Sequence, residues 1–328
     1  MRDADAEFMT AATAEVRGRS SEEHDLVIAD VRIRIMVAGS SLTTWLGGAL
    51  NCRLEPSSGA ADAQLFVATG YPFPPPPWAA DDYINGHRIR HLVGGERLAT
   101  FDVERRILNM YDHATTTGMF WCHDVADLPD WEFGAPLRSL LTWVLRHRNI
   151  HLVHAAAVGE PLVGGVLLAG RGGSGKSTTT LACVAAGMAT AGDDYCAVSG
   201  GHPNAYAIYG LAKVAPSSIA GSLVDLRTAH TPRADGKVHT SLGKSLCSEL
   251  PLRAIVLPTV ADRTGEPTCV SPRQALYRIA PNTMLQSELG GRELFAALAA
   301  LVNSLPAYSL EVGPDLDRVV QTLRSLLT

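Results

Sequence analysis

Gly170-Arg171-Gly172-Gly173-Ser174-Gly175-Lys176-Ser177-Thr178 is the run of residues around which the second half of this chain is organised. It matches the phosphate-binding loop G-x-x-x-x-G-K-[ST] at every fixed position. The apolar run 166–169 before it predicts a short buried strand. The run 177–186 after it predicts a helix that ends at Gly187. Strand, glycine loop and helix are the context that this motif requires.

The loop predicts a nucleotide site because of its backbone and the helix that follows it. Glycines adopt positive φ without steric cost, so several N–H groups can point toward one anion. The helix adds the positive end of its dipole. We expect residues 170–178 to bind ATP, with Lys176 on the outer phosphates and the Ser177 hydroxyl on Mg²⁺. The alternative is a glycine hinge before an ordinary helix, and the flanking strand disfavours it.

Composition narrows the class of protein. The 328 residues are 46% apolar and 19% charged, which is typical of a globular chain of one large or two modest domains. A net charge of −5 argues against nucleic-acid binding through a basic face. The polar N-terminus does not resemble a signal peptide, and no apolar run is long enough to cross a membrane. Six scattered cysteines predict reduced thiols in a cytoplasmic protein.

The first part of the chain predicts a β-rich domain. Residues 1–25 are polar and predict a loose lead-in or a frayed helix, and residues 26–130 form the predicted domain. Its predicted strands cover residues 26–37, 63–68, 87–93, 97–103 and 106–111. The proline-rich run 71–78 fits a stiff connector or an SH3-type ligand. Substrate contact, oligomerisation and scaffolding all remain open as the role of this domain.

Residues 135–328 predict an α/β domain, in which strands alternate with helices around the glycine loop. A helix is expected over 136–148 and a strand over 151–158. Ser271-Pro272-Arg273-Gln274 has the pattern of a capping box with proline at the first helical position. Apolar spacing predicts further helices around 294–302 and 316–327, with a strand at 308–312 between them.

Two adjacent acids, Asp193 and Asp194, follow the extended run after the loop helix. In open α/β sheets, the carboxyl ends of strands line the ligand crevice. One carboxylate can hold Mg²⁺ through oxygen, and the other can accept the proton of an attacking hydroxyl. Taken alone, the pair also fits an ordinary turn at the end of a strand.

Together, His154-Ala155, the glycine loop, and Asp193-Asp194 seventeen residues after Lys176 resemble the catalytic domain of HPr kinase/phosphorylase and its relatives. The resemblance covers about residues 150–215 and implies a P-loop kinase fold similar to that of phosphoenolpyruvate carboxykinase. It implies that Asp193 is the catalytic base and that Asp194 and Ser177 help to hold magnesium. It also places His154 at the edge of the active site, although a lone histidine in a strand is more often structural.

The chain departs from that family at one metal-binding position. The stretch aligned with the family's E-I-R-G-L-G segment begins at Ala207, where the family has a glutamate. In this respect the chain resembles more closely the divergent HPr-kinase-like proteins of peptide-tailoring pathways, including kinases of lasso-peptide precursors. Lys213, Arg233 and Lys237 are candidates to contact the transferred phosphoryl group or an acidic substrate, or are solvated cations. The related sensor kinases form hexamers, which makes a homo-oligomer an expectation here.

These residues predict an ATP- and Mg²⁺-dependent kinase that transfers the γ-phosphoryl group to a hydroxyl, in particular a serine of a protein or peptide. Lys176, Asp193, Asp194 and His154 are the predicted catalytic residues. Three alternatives remain: an NTPase in which water attacks, a nucleotide-binding switch without turnover, and a kinase of small-molecule hydroxyls. The run 188–191 is a poor match to the apolar strand that such an NTPase uses before its acid.

Overall fold

A computed structural model describes residues 4–50, 53–70, 73–92, 95–214, 236–287 and 291–327. The chain divides into two compact units, residues 1–148 and residues 149–328. It is a mixed α/β protein, and its described part contains eight α-helices, two nine-stranded sheets and a two-stranded ribbon. The general fold class expected from the sequence is therefore confirmed.

The first unit contains one nine-stranded mixed sheet, in the order β3-β1-β2-β4-β9-β8-β7-β6-β5. Its strands are β1 (Glu22–Ile28), β2 (Val31–Ala38), β3 (Leu54–Pro56), β4 (Ala63–Thr69), β5 (Tyr83–Ile84), β6 (Arg88–Ile89), β7 (Arg97–Asp102), β8 (Ile107–Asp112) and β9 (Thr117–Cys122). Its helices are α1 (Ala4–Arg19), α2 (Ser40–Leu50), α3 (Asp130–Gly134) and α4 (Arg138–Arg146).

Two features of this unit differ from the sequence-based expectation. Within residues 1–25, expected as a loose lead-in or a frayed helix, Ala4–Arg19 form a packed helix, α1, because Phe8, Ala12 and Val16 recur every four residues and pack on the sheet core. The single strand expected over 26–37 is a hairpin of β1 and β2. It turns at Ala29, whose φ is +53°.

The proline-rich segment packs inside the first unit. Phe73 stacks on Trp121 with ring centroids 4.6 Å apart, and the indole N–H of Trp78 donates to Asp5 at 2.8 Å. These contacts match the connector interpretation. Tyr71 and Pro72 lie outside the described residues.

The boundary between the units lies later than expected. Helix α4 packs on β8 and β9 and so belongs to the first unit, whereas the sequence suggested that the second domain begins at residue 135. The buried face of α4 consists of leucine, tryptophan and valine side chains. This apolar face covers one face of the sheet of the first unit.

The second unit contains the other nine-stranded sheet and a separate two-stranded ribbon. Its strands are β10 (Ile150–Val153), β11 (Ala155–Glu160), β12 (Gly164–Ala169), β13 (Ala189–Gly192), β14 (Cys196–Ser199), β15 (Asn204–Tyr206), β16 (Leu211–Val214), β17 (Val238–Ser241), β18 (Glu249–Val260), β19 (Thr268–Val270) and β20 (Ala307–Val312). Its helices are α5 (Lys176–Ala185), α6 (Pro272–Gln286), α7 (Gly291–Ser304) and α8 (Leu316–Ser325).

Strand directions determine where the loops of the second unit meet. The sheet order is β10-β14-β15-β18-β12-β11-β13, with β20 pairing with β18. Strand β11 is antiparallel to both β12 and β13, while β18 is parallel to β12 and to β20. Strands β12, β13, β18 and β20 therefore run in one direction, and their carboxyl ends share one edge of the sheet. We call this the carboxyl edge.

Helices cover both faces of this sheet. One core cluster includes α6 and α7 side chains, and another includes α5 and α8 side chains. The expected capping box at the start of α6 is confirmed: the Gln274 N–H donates to Ser271 Oγ at 3.3 Å, and the Ser271 N–H donates to Gln274 Oε1 at 2.9 Å. Among the described residues, no helix has the length and apolarity needed to cross a membrane.

Asp25 provides a stability test of the first unit. Its carboxylate is fully buried and accepts hydrogen bonds from Arg32 at 2.9 Å and Arg34 at 3.0 Å. We expect Asp25→Ala to reduce the free energy of unfolding by about 2–4 kcal/mol, because two arginines lose their counter-charge. Tryptophan fluorescence during urea unfolding measures this, since all five tryptophans lie in residues 45–143. Glu23→Ala, an exposed change on the same strand, should cost less than 1 kcal/mol.

Candidate functional site

The carboxyl edge brings together the separate segments that the sequence singled out. Strand β12 leads into the glycine loop, and β13 leads into Asp193 and Asp194. The strand expected over 151–158 is interrupted at His154, between β10 and β11. Because β11 runs opposite to β12 and β13, its first residue lies at the same edge. His154 therefore lies between the loop and the acid pair.

The glycine loop has the backbone that an anion-binding turn requires. Gly173 and Gly175 have φ of +77° and +100°, and Gly175 is the residue from which helix α5 begins. Lys176 is buried, and its Nζ donates to the carbonyl oxygens of Gly170 at 2.7 Å and Arg171 at 3.3 Å. Burial lowers the pKa of Lys176, and the charges of Asp194 and Asp193 oppose that shift.

The hydroxyl groups around the loop differ in their bonding. Ser174 Oγ and Thr179 Oγ1 are buried and have no hydrogen-bond partner within the described part of the chain. Thr180 Oγ1 donates to the carbonyl of Lys176 at 3.0 Å. Ser177 and Thr178 are half-buried at the start of α5, and residues 171–173 are exposed. Residues 171–173 of the loop are thus exposed, whereas the hydroxyl groups of Ser174 and Thr179 are buried next to them.

Asp193 is a buried carboxyl that is only partly satisfied. It is 1% exposed, and its Oδ2 accepts from the backbone N–H of Lys213 at 3.0 Å. Oδ1 has no hydrogen-bond partner in the described ranges. Burial raises the pKa of Asp193 to about 6, and the neighbouring charge of Asp194 adds to this. The Lys213 N–H and the nearby hydroxyls of Ser177 and Thr180 favour the charged form.

Asp194 and His154 form a pair. Nε2 of His154 lies 2.9 Å from Oδ1 of Asp194, and the histidine side chain is 10% exposed. Burial opposes ionisation of Asp194, but the hydrogen bond and charge of His154, together with Lys213 and Lys176, lower its pKa to about 2. The pKa values of the two adjacent carboxyls are thus shifted in opposite directions, upward for Asp193 and downward for Asp194. This separation is typical of acid pairs with divided roles.

The structure adds three residues that the sequence analysis missed. Thr283 Oγ1 accepts from the backbone N–H of His154 at 3.3 Å, and the Tyr195 ring lies 5.4 Å from the histidine ring. The Tyr195 hydroxyl donates to Gln286 Oε1. Thr283 on helix α6 and Tyr195, which follows the acid pair, contact His154 directly, and Gln286 on α6 holds the Tyr195 hydroxyl. No signal in the sequence could have linked them, because Thr283 lies 129 residues from His154 along the chain.

The candidate cations have different outcomes. Lys213 lies at β16 and Lys237 just before β17, and both are close enough to act on the site: Lys213 lowers the pKa of Asp194 and Lys237 lowers that of Lys176. Arg233 lies outside the described residues. Residue 207 is an alanine and is fully buried, so it supplies no carboxylate to a metal site. His151 is buried with Nε2 3.1 Å from Asn149 Oδ1, as a structural histidine would be.

The residues present suit a magnesium ion that shares its ligands with phosphates. Two carboxylates and the Ser177 hydroxyl are oxygen donors of the kind that Mg²⁺ prefers. Within the described ranges, no group of three or more His, Cys, Asp or Glu side chains could hold a metal by itself. Mg²⁺ commonly binds through one or two carboxylates together with substrate phosphates, so this donor set fits.

Comparisons with known proteins add no family assignment. No protein-family model matches this sequence, and no curated protein is a significant match to it. The geometry of the carboxyl edge therefore has to carry the functional interpretation.

The raised pKa of Asp193 predicts a pH-dependent stability difference. A carboxyl whose folded pKa is about 6, against about 3.9 in the unfolded chain, loses stability as pH rises from about 4 to above 6. Asp193→Asn removes this loss. We expect the stability of the variant relative to wild type to improve by about 1–2 kcal/mol between pH 5 and pH 8. Hydrogen exchange of β12 and β13 in urea measures it. If the free energy of unfolding of Asp193→Asn relative to wild type is the same at pH 5 and at pH 8, the buried-carboxyl interpretation is contradicted.

Proposed function

We propose that this protein is an ATP- and Mg²⁺-dependent kinase of the HPr kinase-like P-loop type, which phosphorylates a hydroxyl of a protein or peptide. One observation carries the proposal: the glycine loop with Lys176 shares the carboxyl edge with a buried carboxyl, Asp193, whose Oδ1 has no partner among the described residues. A phosphoryl-transfer site needs an anion cradle and a nearby base, and these elements supply both.

The proposed roles follow from the bonding of each group. The loop N–H groups and Lys176 would hold the β- and γ-phosphates, and the ammonium would exchange its two carbonyl partners for phosphate oxygens. Asp193 Oδ1 would accept the proton of the substrate hydroxyl. The hydroxyl oxygen would bond to the γ-phosphorus of ATP, and the bond between the γ-phosphorus and the bridging oxygen of the β-phosphate would break, which leaves ADP. A base with a pKa of about 6 is well matched to transfer near neutral pH.

Asp194 and Ser177 are the residues that would hold magnesium. Asp194 suits this task because its pKa of about 2 keeps it charged at any physiological pH. His154 positions its carboxylate through the 2.9 Å contact. A bound magnesium ion would supply neutralisation of phosphate charge. Lys213 acts on Asp194 and Lys237 acts on Lys176, and in the proposed site their positive charges would attract an acidic part of the substrate.

The serine acceptor belongs to the proposal on the basis of the sequence resemblance, and a cytoplasmic location on the basis of the scattered cysteines. The chemistry of the site fits any hydroxyl, so a small-molecule acceptor is the nearest alternative. Asp193, which is buried directly after β13, could also activate a water molecule, and the protein would then be an ATPase. Incubation with ATP and magnesium, with and without serine-containing peptides, separates transfer from plain hydrolysis.

Asp193→Asn tests the base. The amide can still accept from the Lys213 N–H, so we expect ATP affinity within about threefold of wild type and phosphoryl transfer reduced at least about 100-fold. Transfer of labelled phosphate and calorimetric ATP binding give the two values. Glu249→Gln, an exposed acid at the other end of β18, serves as the control and should retain full activity. Transfer at the wild-type rate in Asp193→Asn would refute the assignment.

Lys176→Met tests the phosphate site. Methionine keeps the length and apolar stem of the side chain but removes the ammonium group. We expect ATP affinity to fall at least about 30-fold, since charge-assisted bonds to phosphate contribute roughly 2 kcal/mol or more. Lys244→Met, at an exposed lysine, is the control. Unchanged ATP binding in Lys176→Met would mean that the loop is only a hinge before a helix, as the alternative interpretation holds.

A further inference from the structure

The exposed side chain of Val260 is an unusual feature at the carboxyl edge. Val260 is the last residue of β18, and 62% of its surface is exposed. It is paired in register with Val312, the last residue of β20, which is buried. Burial within the sheet explains why residue 312 is a valine. It does not explain why residue 260, which is exposed beside a polar loop, is also a valine.

Val260 and Val312 lie directly against the glycine loop. A Cβ placed on Gly175 would lie 3.4 Å from Val260 Cγ2 and 3.9 Å from Val312 Cβ. Gly175 precedes Lys176 and is the residue from which α5 begins. An apolar surface thus adjoins the backbone that would hold the phosphates.

This surface lies on the opposite side of the loop from the acids. In the sheet, β18 is one neighbour of β12, whereas β13 is reached through β11 on the other side. Asp193, Asp194 and His154 therefore flank one side of the loop, and Val260 flanks the other. A nucleotide with its terminal phosphate toward the acids can extend its other end toward Val260.

The loops beneath this surface are hydrogen-bonded to each other and closely packed. The Ala261 N–H donates to the carbonyl of Val312 at 3.0 Å, and the Gly313 N–H donates to Thr264 Oγ1 at 3.2 Å. A Cβ on Gly313 would meet the Thr264 backbone nitrogen at 2.5 Å, so the two loops after β18 and β20 are packed in contact. A fixed apolar surface suits the flat face of an aromatic ring, because burial of both stabilises the contact.

We infer that Val260 forms the contact surface for the nucleobase of the bound nucleotide. The inference rests on the proposed function, since it requires the phosphates to lie in the glycine loop. It adds the part of the site that distinguishes a nucleotide from a bare polyphosphate. The base occupies this surface through burial of apolar area, whereas the loop and Lys176 bind the phosphates through charge and hydrogen bonds.

The test compares two ligands that share phosphates but differ in the base. Magnesium complexes of ATP and of inorganic tripolyphosphate are titrated into the full chain by calorimetry. For Val260→Ala we expect the ATP dissociation constant to rise about three- to tenfold, with that of tripolyphosphate changed less than twofold. Val260→Phe widens the apolar surface and is expected to bind ATP at least as tightly as wild type. Val163→Ala, at a 44% exposed valine in the turn at the opposite edge, should change neither constant.

Two results would overturn the inference while leaving the proposed function intact. One is ATP affinity in Val260→Ala equal to that of wild type. The other is an equal loss for both ligands, which would mean that Val260 shapes the loop and does not contact the base. A wild-type chain that binds neither ligand would instead refute the phosphate site, and the base surface with it. Circular dichroism of each variant verifies that it is folded.

Discussion

The common direction of strands β12, β13, β18 and β20 is the constraint on which the second unit depends. Each of these strands ends at the same edge, so residues far apart in sequence converge there without any long-range signal between them. The antiparallel strand β11 completes the arrangement, because it begins at this edge and places His154 beside Asp194. Reversing any one of these strands would carry its functional residue to the far side of the sheet.

Local patterns were sufficient to predict much of this unit. The glycine loop, the helix after it and the capping box at Ser271 each depend on neighbours within a few residues, and each lies where the sequence indicated. The sequence also placed Asp193 and Asp194 after a strand. It could not assign their different environments, because the pKa values depend on the N–H of Lys213, the ring of His154 and burial by other elements.

The errors have physical causes. The run 151–158 consists of apolar residues apart from His151 and His154, and it has no glycine or proline to mark a break. Its composition therefore did not indicate that pairing changes from β14 to β12 and β13 at His154. The sequence predicts only a loose lead-in or a frayed helix where α1 packs on the sheet, because the buried side chains of α1 are few and stand among polar ones. Thr283 and Gln286 contact His154 and Tyr195 from helix α6. The apolar spacing of α6 predicts which of its residues are buried, but not which residues of other elements they contact. Contacts between distant elements are decided by topology, which a single sequence does not display.

The bonding of Lys176 has a consequence for selectivity. Its ammonium group is buried and donates hydrogen bonds to two loop carbonyls, which take the place of water. In the proposed phosphate site, an anion would have to compete with these two carbonyls, which belong to the same loop, and a lone chloride or acetate would gain little from the exchange. If the loop binds phosphates as proposed, a ligand that engages several amides at once would displace these carbonyls more readily than a small monovalent ion would.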